Sequence, residues 1–183
     1  MRRTLGSEAT SDTTSPEERT VLERLDALLA LPTVRGCLAE VAERVVQTLA
    51  RDRTSVMAWE SLPLVIYGDA LPSDIRSCWI FVLRAGATTG AERHPNSHQR
   101  MMSLRGAGDI QTGGQSHLLV SDDGAELLCR WASIPPNEWH QAVIPNEDWV
   151  VLSFHTAPAE ELIEERPDAK NGDITHQRHY IDP

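Results

Sequence analysis

Two blocks of hydrophobic residues at helical spacing come first in the chain. After the polar, Ser- and Thr-rich residues 1–15, which we expect to be disordered, Ser15-Pro16 is a typical helix start with serine as the N-cap. Leucines then recur at intervals of three and four residues until Pro32 stops the run. A second helix is predicted from about residue 33 to residue 51. We therefore assign residues 16–55 to a helical extension.

From residue 56 onwards the pattern changes to short apolar runs separated by turns. Gly, Asn and Pro punctuate these runs at nearly regular spacing, which is typical of an all-β sandwich or barrel. We assign residues 56–160 to this barrel and residues 161–183 to a polar tail that is partly helical where it begins. The predicted strands cover residues 79–83, 101–104, 117–120, 127–132, 140–144 and 149–154.

The composition of the 183-residue chain narrows the classes of partner. Its formal net charge of -10 argues against binding to nucleic acid or to an anionic membrane surface. Three scattered cysteines without CxxC spacing indicate reduced thiols. No run approaches the ~20 apolar residues that span a bilayer, and the N-terminus lacks the apolar segment of a signal peptide. We therefore expect a soluble, cytoplasmic protein.

One carboxylate and three imidazoles lie in the predicted barrel at a spacing that suits a metal site. Glu92 and His94 are two residues apart, so on an extended segment their side chains leave the same face. His98 follows four residues later, and Pro95-Asn96-Ser97 must bend the chain to bring it back. His140 follows a stiff Pro-Pro-Asn turn. Imidazole and carboxylate together suit Fe, Ni, Cu, Zn or Mn, so the sequence predicts one transition-metal site.

Two stretches around these residues resemble the paired motifs of the cupin superfamily. Residues 84–106 are similar to the first motif, in which a glycine, a His-x-His pair, a glutamate and a second glycine follow at fixed spacing. Residues 134–140, Ile-Pro-Pro-Asn-Glu-Trp-His, resemble the second motif, and residues 149–155 resemble the closing strand of the barrel. The resemblance implies a mostly β protein, a cupin-type β-barrel or jelly roll behind the helical extension. It also implies a homodimer.

The first motif departs from the family pattern and leaves two ligand sets open. Glu92 stands where the first histidine is expected, and His94 matches the second. The motif's glutamate aligns with His98 at one spacing and with Gln99 at another. Chemistry favours a set that keeps three histidines and one glutamate with their places exchanged: Glu92, His94, His98 and His140. Strand alternation favours Gln99 instead, in weak or outer contact with an ion held by Glu92, His94 and His140.

The resemblance and the ligand set together imply a mononuclear non-haem metal enzyme. Fe(II) is the favoured ion, before Ni, Mn, Zn or Cu, and the favoured reaction is that of a dioxygenase on a small organic acid or aromatic. The alternatives are a metal-dependent lyase or isomerase of the same fold and a non-catalytic protein that binds small molecules. Candidates for the substrate pocket are Trp139, Arg100 and His155.

Overall fold

The structure of the protein is a computed structural model that describes residues 14–167 and 174–177. The predicted disorder of residues 1–15 therefore falls almost wholly outside the described residues. Within them, no helix is long and apolar enough to cross a membrane.

The two predicted helices of the extension are present. Helix α1 spans Pro16–Leu29 and helix α2 spans Pro32–Arg51. Ser15 is the N-cap of α1, since its hydroxyl accepts a hydrogen bond from the backbone N–H of Glu18 at 3.1 Å. Both helices are amphipathic, and their apolar stripes are buried against the sheet that follows.

After a 3-10 helix at Leu64–Ala70 and around a few short turns, the rest of the described chain is built mainly of short strands that pair antiparallel. In chain order they are β1 (Met57–Ser61), β2 (Ser77–Leu83), β3 (Gln99–Arg105), β4 (Ala107–Thr112), β5 (Gln115–Val120), β6 (Trp131–Ile134), β7 (His140–Val143), β8 (Trp149–His155), β9 (Glu164–Pro167) and β10 (Ile174–Gln177). A five-stranded sheet has the order β1-β2-β8-β3-β6, a three-stranded sheet has the order β5-β4-β7, and β9 pairs with β10. The prediction of a mostly β sandwich or barrel behind a helical extension is confirmed.

The larger sheet lies between the helices and the smaller sheet, and β8 shows this most clearly. All seven of its residues are buried. Leu152 and Phe154 belong to the apolar core beneath the helices, whereas Trp149 and Val151 belong to the core between the two sheets. Because both faces of β8 are covered, four apolar residues follow one another at Trp149–Leu152 where a half-exposed strand would alternate.

Two segments differ from the sequence-based expectation. Residues 127–132 were predicted as one strand, but Leu127–Arg130 forms a helical turn, α3, and only the end of the segment enters β6. The apolar run looked extended because a helical turn this short has no visible period. The tail, predicted as partly helical, has a 3-10 turn at Ala159–Glu161 and then contributes β9 and β10.

A buried ion pair fastens α1 to the outer face of β3. Arg100 is 4% exposed, and its guanidinium donates to both carboxylate oxygens of Glu18, at 2.7 and 2.9 Å. Ser133 donates to Glu18 at 2.7 Å, and Asp74 accepts from Arg100 at 2.8 Å. Burial, the largest single influence, acts to raise the pKa of Glu18, but the hydrogen bonds from Arg100 and Ser133 outweigh it and lower the pKa.

We predict that Glu18→Gln lowers the free energy of unfolding by about 3 kcal/mol at neutral pH, because it leaves a buried guanidinium without its full charge partner. This difference between the variant and the wild type should have its full size above the ordinary carboxyl pKa of 4.5. It should shrink as the pH falls through the lowered pKa of Glu18, where the wild-type carboxylate is protonated too. Urea denaturation of both proteins across this range measures it.

Glu60→Gln is the matched control, since it breaks an ion pair with Arg44 in which both side chains are more than one-third exposed. Its effect should be far smaller. Equal losses in the two variants, or a Glu18→Gln loss that does not change with pH, would contradict the role of Glu18.

Close contact between the two sheets also requires a glycine. Gly108 of β4 lies flat against the indole ring of Trp149, where a Cβ atom would overlap the ring. The ring itself is fully buried, and its Nε1 donates to the Ser103 hydroxyl at 2.9 Å. The indole therefore has no room to retreat.

Gly108→Ala should lower the free energy of unfolding by about 1–3 kcal/mol, as is typical of overpacking. Gly36→Ala is its control, because Gly36 lies within α2 with no atom near the position of a Cβ. That substitution should raise stability by about 0.5–1 kcal/mol. Thermal unfolding measures both, and a Gly108→Ala protein as stable as the wild type would refute the close contact.

Candidate metal centre

Glu92 and His140 are held directly opposite each other by their backbones. The N–H of Glu92 donates to the carbonyl of His140 at 2.8 Å, and the N–H of His140 donates to the carbonyl of Glu92 at 2.9 Å. Residues paired in this way in an antiparallel ladder project their side chains to the same face. The distance from Nε2 of His140 to Oε1 of Glu92 is 3.6 Å.

His94 completes a group of three candidate ligands, Glu92, His94 and His140, which we call the metal group. It lies two residues after Glu92, so its side chain leaves the same face, and its ring centroid is 5.5 Å from that of His140. One ligand atom each from Glu92, His94 and His140 lies within 4.8 Å of the others. These atoms can converge on one ion at the ~2.0–2.2 Å typical of nitrogen and carboxylate ligands after small side-chain movements.

Both imidazoles are oriented with Nε2 towards this group. Nδ1 of His94 lies 3.2 Å from the carbonyl of Ile163, and Nδ1 of His140 lies 3.1 Å from the carbonyl of Glu138. A carbonyl oxygen only accepts, so each Nδ1 is a protonated nitrogen, and in the neutral form of each ring the lone pair lies on Nε2. Both Nε2 atoms are buried and have no hydrogen-bond partner within the described part of the chain. A divalent transition metal fits this arrangement.

The electrostatics keep His94 and Glu92 in the forms that bind a metal. Burial, the largest influence, lowers the pKa of His94 to about 4, so its imidazole is neutral at physiological pH. Burial alone would raise the pKa of Glu92, but His140, His94 and Arg166 together lower it, and its carboxylate is ionised. A neutral imidazole and an ionised carboxylate are the forms that bind a metal.

Arg166, from the tail, fixes the carboxylate of Glu92. Its Nη2 donates to Oε2 of Glu92 at 2.5 Å, its Nε to Glu164 at 2.5 Å and its Nη1 to the carbonyl of Thr89 at 3.0 Å. With Oε2 bound to Arg166, Oε1 is the oxygen turned towards His140. Sequence reasoning missed Arg166, since a charged tail residue is normally solvated. The only signal was the alternation of Glu164 and Arg166, which places both on one face of a strand.

The predicted bend at residues 95–97 exists, but it does not bring His98 to the other three. After the turn the chain enters β3, where Gln99 faces the space between the sheets and its neighbours on either side face the helices. Nε2 of His98 lies 2.7 Å from the hydroxyl of Ser133 and 3.6 Å from Glu18. The geometry therefore assembles the three-residue alternative and not the set with His98, because strand alternation outweighs the chemical preference for a third histidine.

Gln99 and His155 lie beside the metal group. Gln99 donates through Nε2 to the hydroxyl of Ser153 at 3.0 Å. His155 bonds Ser153 through Nε2 at 3.1 Å and Ser97 through Nδ1 at 3.2 Å, and its ring meets that of His94 edge-on at 4.9 Å. Burial lowers the pKa of His155 well below its ordinary value. Both side chains line the cavity described next.

The other two pocket candidates lie elsewhere. Trp139 is half-buried, and Cζ of the Arg93 guanidinium lies 4.8 Å from the centroid of its indole ring. The residue borders an open surface groove beside β4. Neighbours in a strand point to opposite faces, so Trp139 points away from the side chain of His140. Arg100 faces the helices, where its charge is matched by Glu18.

The metal group lines a cavity of about 40 Å³ between the two sheets. Its polar part consists of the three metal candidates, Gln99, Ser153, His155 and Thr89. The remaining walls are apolar: Met57, Trp79, Phe81, Leu83, Met101, Ile110, Ala142 and Val151. Apolar walls of this kind limit the access of water to a bound ion.

We predict that alanine at position 92, 94 or 140 abolishes stoichiometric binding of Fe(II) or Co(II). Each substitution removes a ligand. The metal affinity should therefore fall by more than the roughly 10–100-fold that is typical when only a residue hydrogen-bonded to a ligand is replaced. Elemental analysis and isothermal titration measure the effect.

His98→Ala is the matched control and should bind metal as the wild type does. A His98→Ala protein that loses its metal, while His140→Ala keeps it, would contradict the three-residue site and restore the set that the sequence favoured on chemistry.

Comparison of the sequence with protein-family models found no match, and comparison with curated proteins found none. Solved structures are similar. A salicylate 1,2-dioxygenase from Pseudaminobacter salicylatoxidans matches with a TM-score of 0.50 and 16% identity, over 69% of this chain but only 34% of that chain. KdgF from Halomonas sp. matches with a TM-score of 0.43 and 15% identity, over 58% of this chain and 85% of that one.

A cupin 2 domain-containing protein from Halorhodospira halophila matches with a TM-score of 0.45 and 22% identity, over 61% of this chain and 69% of that one. At such identities the likenesses concern the fold and not the reaction.

Proposed function

Because the chain has the fold of the cupin superfamily, as its two motifs predicted, we propose that it is a metal-dependent oxygenase acting on a small organic molecule. Glu92, His94 and His140 hold one divalent transition metal, with Fe(II) as the favoured ion. The observation that carries the proposal is the pair of buried Nε2 atoms without a hydrogen-bond partner in the described structure. An unpaired buried acceptor is costly, and two that converge on one carboxylate support a bound cation.

The ligand set supports Fe(II) and an oxygenase over other metal chemistries. Two histidines and one carboxylate bind one side of an ion and leave positions open on the other, which is the arrangement used by non-haem Fe(II) oxygenases. Such an ion, when bound, would supply the open positions at which a substrate and O₂ bind. The chain itself orients the three ligands. Backbone carbonyls accept from Nδ1 of His94 and of His140, and Arg166 donates to Oε2 of Glu92.

The size of the cavity bears on the substrate. A cavity of about 40 Å³ holds a few atoms, whereas an engineered cavity that binds benzene measures about 150 Å³. Of the two substrate classes that the sequence left open, the small organic acid is therefore favoured over the aromatic.

A metal-dependent lyase or isomerase is the second candidate, because it would use the same ion. It also requires a base that faces the substrate. His155 is the cavity-lining histidine outside the metal group, but both of its nitrogens are engaged in hydrogen bonds to serine hydroxyls, and burial lowers its pKa well below its ordinary value. These features favour the oxygenase.

Oxygen uptake by the Fe(II)-loaded protein tests the proposal. With a panel of small hydroxy, amino and keto acids we expect uptake that depends on both iron and the organic acid, and that is lost in His94→Ala. Turnover of any panel member under strict anaerobiosis would refute the oxygenase in favour of the lyase. Stoichiometric iron binding with no oxygen uptake on any acid would favour a binding protein.

A further inference from the structure

A surface groove of about 670 Å³ lies outside the metal cavity, between the turn that joins β4 to β5 and the segment before β7. This volume is within the range of about 300–1,000 Å³ that is typical of small-molecule sites. The described residues that line the groove include no arginine or lysine, and no aliphatic side chain larger than that of Ala91. They do include four amides, one carboxylate and one indole: Gln111, Gln115, Asn137, Gln141, Glu138 and Trp139.

The indole ring of Trp139 is held in place from the side away from the groove. Cζ of Arg93 lies 4.8 Å from the ring centroid, and the same guanidinium donates to the carboxylate of Glu165 at 2.6 Å. The backbones of Arg93 and Glu165 also donate to each other, at 3.0 and 2.9 Å. Arg93 is not among the residues that line the groove, so the part of the ring that does line it is not the part under the guanidinium. The groove therefore has one fixed aromatic surface.

The polar groups beside the ring leave both donors and acceptors for a ligand. Nε2 of Gln141 donates to Oε1 of Gln111 at 2.6 Å, which leaves the carbonyl oxygen of the first amide and the NH₂ of the second. The hydroxyl of Thr112 donates to Oε1 of Glu138 at 3.0 Å, which leaves Oε2 of that carboxylate as an acceptor. Hydroxyl groups both donate and accept, so they match such a mixed surface.

Charge and polarity narrow the class of ligand. No arginine or lysine of the described groove offsets Glu138, and the whole chain has a formal net charge of -10, so an anion would be repelled. An apolar ligand would meet a single indole and would leave the amides without partners. A neutral molecule with several hydroxyls and a flat C–H face satisfies both the amides and the ring.

We propose that this groove binds a neutral oligosaccharide, with one pyranose ring lying on the indole of Trp139 and its hydroxyls bonded to the amides and to Glu138. The site goes beyond the proposed function, because it lies outside the metal cavity and needs no metal. The cavity itself, at about 40 Å³, is too small for a six-membered ring. Trp139, which the sequence placed in a substrate pocket, thus belongs to a second binding site.

Cellobiose and maltose are the probes, titrated into the full chain before and after its metal is removed with a chelator. NMR follows the indole N–H signals of the five tryptophans, and the signal of Trp139 is the one that is absent from Trp139→Ala. We expect at least one of the two disaccharides to shift the Trp139 signal saturably, with and without metal. The signals of Trp131 and Trp149, which are fully buried, should stay in place.

Variants locate the binding, measured by saturation-transfer NMR observed on the sugar. Trp139→Ala should lower the affinity roughly tenfold or more, because it removes the aromatic surface. Gln115→Ala, at an exposed amide of the groove, should lower it by about fivefold. The matched controls are Trp59→Ala, at a half-buried tryptophan of β1 that does not line the groove, and Gln47→Ala, at an exposed position of α2. Both should bind as the wild type does.

The uronate counterpart of the disaccharide that binds, with a carboxylate in place of one hydroxymethyl group, tests the charge argument. We expect it to bind about fivefold more weakly than the neutral sugar.

No saturable shift with either disaccharide, binding that survives Trp139→Ala, an equal loss in Trp59→Ala, or a uronate that binds as tightly as the neutral sugar overturns the proposed site. None of these results bears on the proposed function, which fails instead where the protein takes up no metal.

Discussion

Glu92 and His140 face each other across two backbone hydrogen bonds, and the geometry of the metal group follows from this pairing. The pairing places a carboxylate and an imidazole on one face of the smaller sheet, and two-residue alternation then adds His94 to the same face. A slip of one residue would turn His140 outward and bring Trp139 into the cavity. The site therefore depends on strand register more than on any single side-chain contact.

The helical extension also helps to set the geometry of the site, from the opposite side of the larger sheet. Glu18 of α1 binds Arg100, and the neighbouring His98 bonds Ser133, so the outward residues at the start of β3 are all engaged. Their engagement keeps the inward residue, Gln99, between the sheets. A helix that contacts neither the cavity nor the metal group thus helps to set which side chain reaches the cavity.

The spacing of apolar residues and of candidate ligands along the chain predicted the two helices, most strands and the grouping of Glu92, His94 and His140. It did not predict side-chain positions that are set by contacts between residues far apart in the sequence. His98 was favoured because imidazole is a good ligand, but its partner Glu18 lies far away in the sequence and alternation turns it outward. Arg166 was invisible because nothing local indicates that the tail crosses the site. The alternative that matches the geometry, with Gln99 facing inward, came from the two-residue period of β3.

X-ray absorption spectroscopy of the Fe(II)-loaded protein, kept anaerobic, tests whether Glu92, His94 and His140 hold the ion, because scattering from imidazole rings counts the histidines bound to it. We expect two imidazoles, from His94 and His140, with the remaining ligands being oxygen atoms. A spectrum that requires three imidazoles would contradict this expectation and return His98 to the site. A spectrum without imidazole scattering would remove the metal from this group altogether.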